Sequence, residues 1–130
     1  MTTPWRLVDR QSGRTLVDSL ELADGYWSRL AGWQFRRRPE PRHGLLLVPC
    51  SSVHTFWLRF PLDLVLLDRG GRVIDVRNEI RPWRAILPRP DTHAILELPS
   101  GANEIETDQV IRAVAPAGTT FPKSLQFLRD

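Results

Sequence analysis

Residues 45–68 read LLLVPCSSVHTFWLRFPLDLVLLD, an apolar passage into which the only cysteine of the chain, a histidine and an aspartate are set. Polar groups buried without partners cost free energy, so each of the three calls for a hydrogen-bonding or chemical explanation. Leu64, Val65, Leu66 and Leu67 are continuous rather than alternating, as in a strand covered on both faces, and this segment is expected to be central in a sheet. The passage divides into strands at Leu45–Val48, Thr55–Phe60 and Leu62–Asp68. The last runs through Arg69-Gly70-Gly71 into a partner strand at Arg72–Arg77, the glycine pair marking a tight hairpin.

Working outward, Trp5–Asp9 and Arg14–Asp18 flank the polar turn Arg10-Gln11-Ser12-Gly13 and form a second hairpin. In LADGYWSRLAGWQF, Ala23, Trp27, Leu30 and Ala31 recur at helical spacing, with Asp24 placed to cap the start and Gly32 to close the end of a helix of two to three turns. RRRPEPRHG sustains neither period and is a solvated loop stiffened by Pro39 and Pro41. The prolines of RPWRAILPRP cannot donate to a ladder, so it is a connection packed down by Trp83 and Ile86. Ala94–Leu98 and Gln109–Val114 complete the strands, and Phe121, Leu125 and Phe127 are available to dock the tail. Many short strands and one short helix predict a mainly β, single-domain chain over residues 1–130, a β-sandwich or jelly-roll-like partly closed barrel.

The totals agree with one folded domain: 130 residues, 42% hydrophobic and 25% charged. One cysteine forms no internal disulfide, and neither a secreted scaffold nor a Cys-x-x-Cys redox pair is supported. The N-terminus has no charged region followed by a long apolar run, and no stretch approaches a membrane-spanning length, so the expectation is a cytoplasmic protein without a membrane segment. The net charge is +3 and, of the basic residues, only Lys123 is lysine, a balance that permits acidic partners without requiring them.

Cys50 and His54, in an extended strand, would lie about 13 Å apart on one face. A turn at Ser51-Ser52 would bring thiol and imidazole together, where proximity can lower the thiol pKa and make Cys50 a nucleophile. The plainer reading is a small buried cysteine beside a hydrogen-bonded histidine. In one unbroken strand Asp63 would face away from His54; Pro61 offers a bend that resets the alternation, after which Asp63 can meet His54 or an arginine such as Arg59 or Arg81, or simply tie a turn to the sheet. Glu97 sits in ILELP, apolar on both sides, and either pairs with an arginine or shares a cleft with His93. Cys50, His54, Asp63 and His93 are metal-binding atom types without metal-binding spacing, and no phosphate loop or hydrolase motif is present, so no metal and no cofactor are expected. Arg36, Arg37, Arg38 and Arg42 form one basic run, with Trp33 and Phe35 nearby; a charge run is usually a solvated loop, and nucleic-acid binding is not expected. Trp27 and Trp57, at patterned positions, read as core.

The helix pattern AxxxxxRxxG (Ala23, Arg29, Gly32), then GLLLVPCSSVHTFWLRFPLDLVLLD with its glycine turn, and LELPSGANE with Glu97 and Gly101, together resemble a bacterial and archaeal family, the domain-of-unknown-function family numbered one hundred and ninety-two. The resemblance spans roughly residues 20–115 and implies a compact, mainly β fold of jelly-roll type with no established activity. Leu58 stands where such proteins commonly carry methionine after His-Thr, a volume-conserving change.

Three functions remain open on the sequence. The first is a small β-rich binding module whose polar pocket lies near Cys50, His54, Asp63 and Glu97, with Arg59, Trp83 and Glu97 touching a small ligand or protein partner. The second is a hydrolase or transferase in which Cys50 attacks, His54 takes its proton and Asp63 orients the imidazole. The third is an assembly factor that docks its partner through Arg36, Arg37 and Arg38.

Overall fold

A computed structural model describes residues 4–129 apart from Leu87 and Ala102, and Tyr26, Leu30 and Ala31 by backbone alone. Among the described residues the strands are β1 (Trp5–Asp9), β2 (Thr15–Ala23), β3 (His43–Leu47), β4 (Val53–His54), β5 (Leu62–Leu67), β6 (Val73–Ile80), β7 (Ala85–Ile86), β8 (Ala94–Pro99) and β9 (Ile111–Val114). The helix α1 (Tyr26–Ala31) lies between β2 and β3, and a 3-10 helix covers Lys123–Leu128. Seven strands form one mixed sheet in the order β6-β5-β8-β3-β2-β1-β9, while β4 and β7 pair as a separate ribbon. All neighbours in the large sheet are antiparallel except β2 and β3, which run parallel because the chain between them crosses over through α1.

The sheet curls until its two ends meet at one point. Arg72 bridges Val110, the Val73 N–H donates to the Gln109 carbonyl at 2.8 Å, and the Ile111 N–H donates to the Gly71 carbonyl at 2.8 Å. Most of β6 has no partner in β9, so the barrel is partly closed. Gly71 is required at this junction: its φ is +80°, and an added Cβ would sit 2.8 Å from the Ile111 carbonyl oxygen.

Each face of the central strands carries its own core. Leu7, Val17, Leu46, Val65, Leu96 and Ile111 fill the concave side, closed at one end by Leu125 and Leu128 of the 3-10 helix. Leu45, Leu47, Leu62, Leu64, Leu66 and Ile95 point the other way, against Trp33, Leu58 and Phe60. β5 is buried along its whole length, as its unbroken apolar run requires, and each of its leucines contributes about 1.5–3 kcal/mol by leaving water.

Several expectations are corrected. Thr55–Phe60 is not a strand: pairing ends at His54, and residues 55–60 form a loop. β2 extends to Ala23 and takes the residue expected to open the helix; α1 is one and a half turns long, with Gly25 rather than Asp24 at its N-cap, and Gly32 ends it. The Leu30 and Ala31 side chains lie outside the described residues. Trp27 is 76% exposed and Trp57 52% exposed, so neither is core, whereas Trp33 is buried and donates its indole N–H to Glu21 at 3.1 Å. The proline-rich connection contains β7, whose Ile86 packs beside Val53 over the outer core.

Candidate functional site

The register of three strands creates the centre of the site. β8 places Glu97 opposite Leu45 on one side and Leu64 on the other, so its carboxyl emerges among leucines on the outer face. Gly32, at the end of α1, closes over it: a Cβ there would lie 3.4 Å from Glu97 Oε1 and 3.5 Å from Oε2. Glu97 is 3% exposed, and its Oε2 has no hydrogen-bond partner. Burial pushes its pKa up to about 8, so at neutral pH the group carries its proton and is a hydrogen-bond donor rather than an anion. Among the described residues no arginine forms an ion pair with it.

Beside Glu97 opens a cavity of about 200 Å³ whose polar lining includes Arg29, Cys50, Ser52 and His54, with Leu47 and Leu58 among its apolar walls. Past the end of β3 the chain continues alongside the residue that precedes β8, where the Cys50 N–H donates to the His93 carbonyl at 2.8 Å. Its thiol donates to the Ser52 carbonyl at 3.1 Å across a bend at Ser51. Burial pushes the thiol up from its ordinary value and its contact with the Ser52 backbone opposes this; Glu97 raises it further and Arg29 lowers it. His54 stacks on Phe56 with ring centroids 4.8 Å apart, and its buried Nδ1 has no partner. The cavity thus offers a neutral carboxyl and an imidazole at an apolar wall, with a guanidinium on its lining.

Asp63 is elsewhere. It pairs across the sheet with Leu98 and shares the concave face with Val65, opposite to the side on which Glu97 emerges. Its Oδ1 accepts the Glu79 N–H at 2.9 Å, where Glu79 adopts φ 56° at the irregularity between β5 and β6. The aspartate therefore satisfies a bulge. His93 also leaves the cleft, packing edge-on against Phe127 at 4.8 Å. Among the described residues no three or more His, Cys, Asp or Glu side chains are gathered as metal ligands would be.

The arginine run is partly spent inside the chain. Arg36 grips Glu21 with two hydrogen bonds at 2.9 and 3.0 Å, Arg38 donates to the Ser100 carbonyl, and Arg42 pairs with Asp18 at 3.1 Å. Arg37 and Arg59 are exposed. Trp83 is 54% exposed and belongs to a row of rings: Phe35 stacks on Trp57 at 5.5 Å, Trp57 meets Trp83 edge-on at 4.7 Å, and Trp83 stacks on Phe56 at 5.7 Å. Phe35, Trp57 and Trp83 have φ of 62°, 66° and 67°, a conformation that costs about 1 kcal/mol or more for each bulky side chain.

Thr55, fully buried, fastens this row. Its hydroxyl donates to the Arg81 carbonyl and accepts the Arg84 N–H, both at 2.7 Å, while its backbone carbonyl accepts the Trp83 N–H at 2.9 Å. Nothing in the local pattern singles out Thr55, because its partners come from a loop distant in sequence. Arg29 and Gly32 carry a signal in the helix pattern quoted above, although their meeting with Glu97 depends on tertiary packing. Trp33 and Leu47, which also line the cavity, look in sequence like any other core residues.

The family described as uncharacterized ACR, DUF192, matches residues 7–113, which take in part or all of every strand and every residue lining the cavity. The chain belongs to the DUF192 family. This DUF192 protein is 28% identical over 104 residues to a UPF0127 protein of Pyrococcus horikoshii, covering 75% of this chain and 87% of that one. It is 30% identical over 98 residues to a UPF0127 protein of Pyrococcus furiosus, covering 71% and 81%. A crystal structure described as a candidate transcription regulator from Sinorhizobium meliloti superposes with a TM-score of 0.71 at 24% identity, over 88% of this chain and 93% of the other. A protein of unknown function from Novosphingobium aromaticivorans gives 0.70 at 22% identity, over 84% and 83%. At these identities the DUF192 protein shares a fold with both structures. No helix among its described residues is long and apolar enough to cross a membrane.

Proposed function

We propose that this protein is a small-ligand binding module whose pocket is organised around Glu97. The observation that carries this reading is a buried carboxyl with an unpartnered oxygen beside a cavity of about 200 Å³. A structural carboxyl would be expected to end on an arginine or a backbone amide. The volume exceeds the ~150 Å³ of an engineered apolar cavity that holds benzene, so a ligand of one ring with a small polar group fits. Such a ligand offers a carbonyl or amide oxygen to the Glu97 hydroxyl and its apolar body to Leu47 and Leu58.

The nucleophilic reading has weaker support. Burial moves the Cys50 thiol away from the thiolate that attack requires, and Asp63 lies on the far side of the sheet from the imidazole it would have to orient. Benzamide is a suitable probe, followed by amide chemical shifts of the labelled protein. The expected result is movement of the Cys50, Val53, Leu58 and Glu97 signals at pH 6.5, lost above pH 8 as the carboxyl ionises and lost in Glu97→Leu at every pH. Shifts scattered over the surface, or binding indifferent to both pH and Glu97→Leu, would overturn the reading.

A further inference from the structure

We infer that the row of exposed rings beside the pocket, together with its arginines, is a docking face for an anionic lipid surface. Phe35, Phe56, Trp57 and Trp83 are 37–66% exposed, and the four form one continuous chain of ring contacts. Solvent-exposed aromatics in contact with one another make a single apolar patch, the kind of surface that marks an interaction site.

Charge selects the occupant. The segments carrying the rings, residues 34–38, 56–59 and 81–84, contain Arg36, Arg37, Arg38, Arg59, Arg81 and Arg84 and no acidic residue; the nearest carboxylates in sequence are Glu40 and Glu79. Among the described residues, Arg36 alone of these arginines is paired with a carboxylate, Glu21. An apolar patch rimmed by guanidinium groups complements a surface that is apolar below and anionic above, which is the order of acyl chains and phosphates in a bilayer leaflet. Tryptophan is the side chain most at home at that boundary.

The rings are also positioned in advance. Thr55 locks residues 81–84 onto residue 55, and the Phe35 N–H donates to the Trp57 carbonyl at 3.0 Å, so three separate loops hold their aromatics in one patch before any partner arrives. Single-stranded nucleic acid is the competing anionic partner, because it too joins aromatics to arginines. Bases stack on free ring faces, however, and here every ring of the row is already engaged by a neighbouring ring, which favours the lipid surface. His54 both lines the pocket and stacks on Phe56, so the docked face would adjoin the pocket mouth.

Sedimentation of the intact protein with vesicles of three parts phosphatidylcholine to one part phosphatidylglycerol tests the inference, with pure phosphatidylcholine vesicles in parallel. Binding to the anionic vesicles is expected, with a blue shift of tryptophan emission and weakening between 0.1 and 0.5 M salt, and little binding to the neutral ones. Each basic residue near such a surface is worth enough that R59E/R81E/R84E should lower the partition coefficient more than tenfold. W57A/W83A should abolish the blue shift. The arginine variant alters exposed side chains only, so it carries the test even where the tryptophan variant fails to fold. Absence of sedimentation, equal binding to both vesicle types, or anionic binding unaffected by R59E/R81E/R84E would overturn the inference. Binding of a fluorescent oligothymidine without vesicle binding would overturn it in favour of a nucleic-acid strand.

Discussion

Replacing Glu97 by glutamine removes one ionisable proton from the core while keeping its shape, and the structure fixes the size and sign of the effect. The folded-state pKa is raised from 4.5 to about 8 by burial, whereas in the unfolded chain the carboxyl returns to its ordinary value. Below pH 4.5 both states are protonated and the wild type suffers no penalty. Between pH 4.5 and 8 the unfolded state releases a proton that the folded state keeps, so stability falls as pH rises, by about 1.4 kcal/mol per unit. The accumulated loss is about 3 kcal/mol at pH 7 and about 5 kcal/mol at pH 8, beyond which it levels off. Urea unfolding followed by tryptophan fluorescence at pH 5, 6, 7 and 8 measures this for wild type and Glu97→Gln. The difference between the two proteins is the decisive quantity, because other groups cancel in it. His93, for example, has its pKa lowered by burial and so contributes in the opposite sense, stability falling as pH drops below about 6.5. Glu97→Gln should therefore be nearly equal to wild type at pH 5 and progressively more stable toward pH 8. Parallel stability profiles across this range would refute a buried, protonated Glu97 and with it the basis of the proposed pocket.

Other consequences are as direct. Native-state alkylation of Cys50 by iodoacetamide should titrate above the ordinary thiol value, since burial raises it; an inflection well below pH 8.5 would restore the nucleophilic reading. Thr55→Val leaves the Arg84 N–H and the Arg81 carbonyl without their partner and should cost about 2–4 kcal/mol in urea unfolding; a loss below about 0.5 kcal/mol would mean that the hydroxyl does not hold the aromatic loops. Asp63→Ala strands the Glu79 N–H and should cost about 1–3 kcal/mol while leaving benzamide binding unchanged, and an equal fall in binding would return Asp63 to the site. Gly71→Ala forces a Cβ to 2.8 Å from the Ile111 carbonyl oxygen at positive φ and should destabilise by about 2 kcal/mol or more, read as a lowered urea midpoint.

Where local chemistry decides structure, the sequence was enough. The Gly70-Gly71 hairpin, the polar turn after Asp9 and the doubly buried run Leu64–Leu67 all follow from turn residues or from the continuity of apolar side chains, and the structure has them. Residues 55–60 mislead because aromatic and β-branched side chains signal a strand, while here Phe56 and Trp57 are held outward by a threonine bonded to a loop some thirty residues away. Asp63 and Glu97 mislead for another reason. Each is a lone carboxyl in an apolar strand, indistinguishable by composition, and only the pairing of Leu64 with Glu97 and of Asp63 with Leu98 sends them to opposite faces.

That register also explains why the two carboxyls have such different surroundings. Asp63 falls where the β5–β6 ladder is irregular and a backbone N–H lacks a strand partner, so its carboxyl has a donor waiting. Glu97 falls within a regular stretch of β8, where neighbouring strands already satisfy the backbone; its cross-strand neighbours are Leu45 and Leu64, and Gly32 sits against its carboxyl. A leucine at position 97 would fit the same environment without the several-kcal/mol penalty above neutral pH. Packing alone therefore gives no reason for a carboxyl there. The cavity beside it supplies one, because a ligand with an acceptor atom would complete the hydrogen bonding that the fold leaves open.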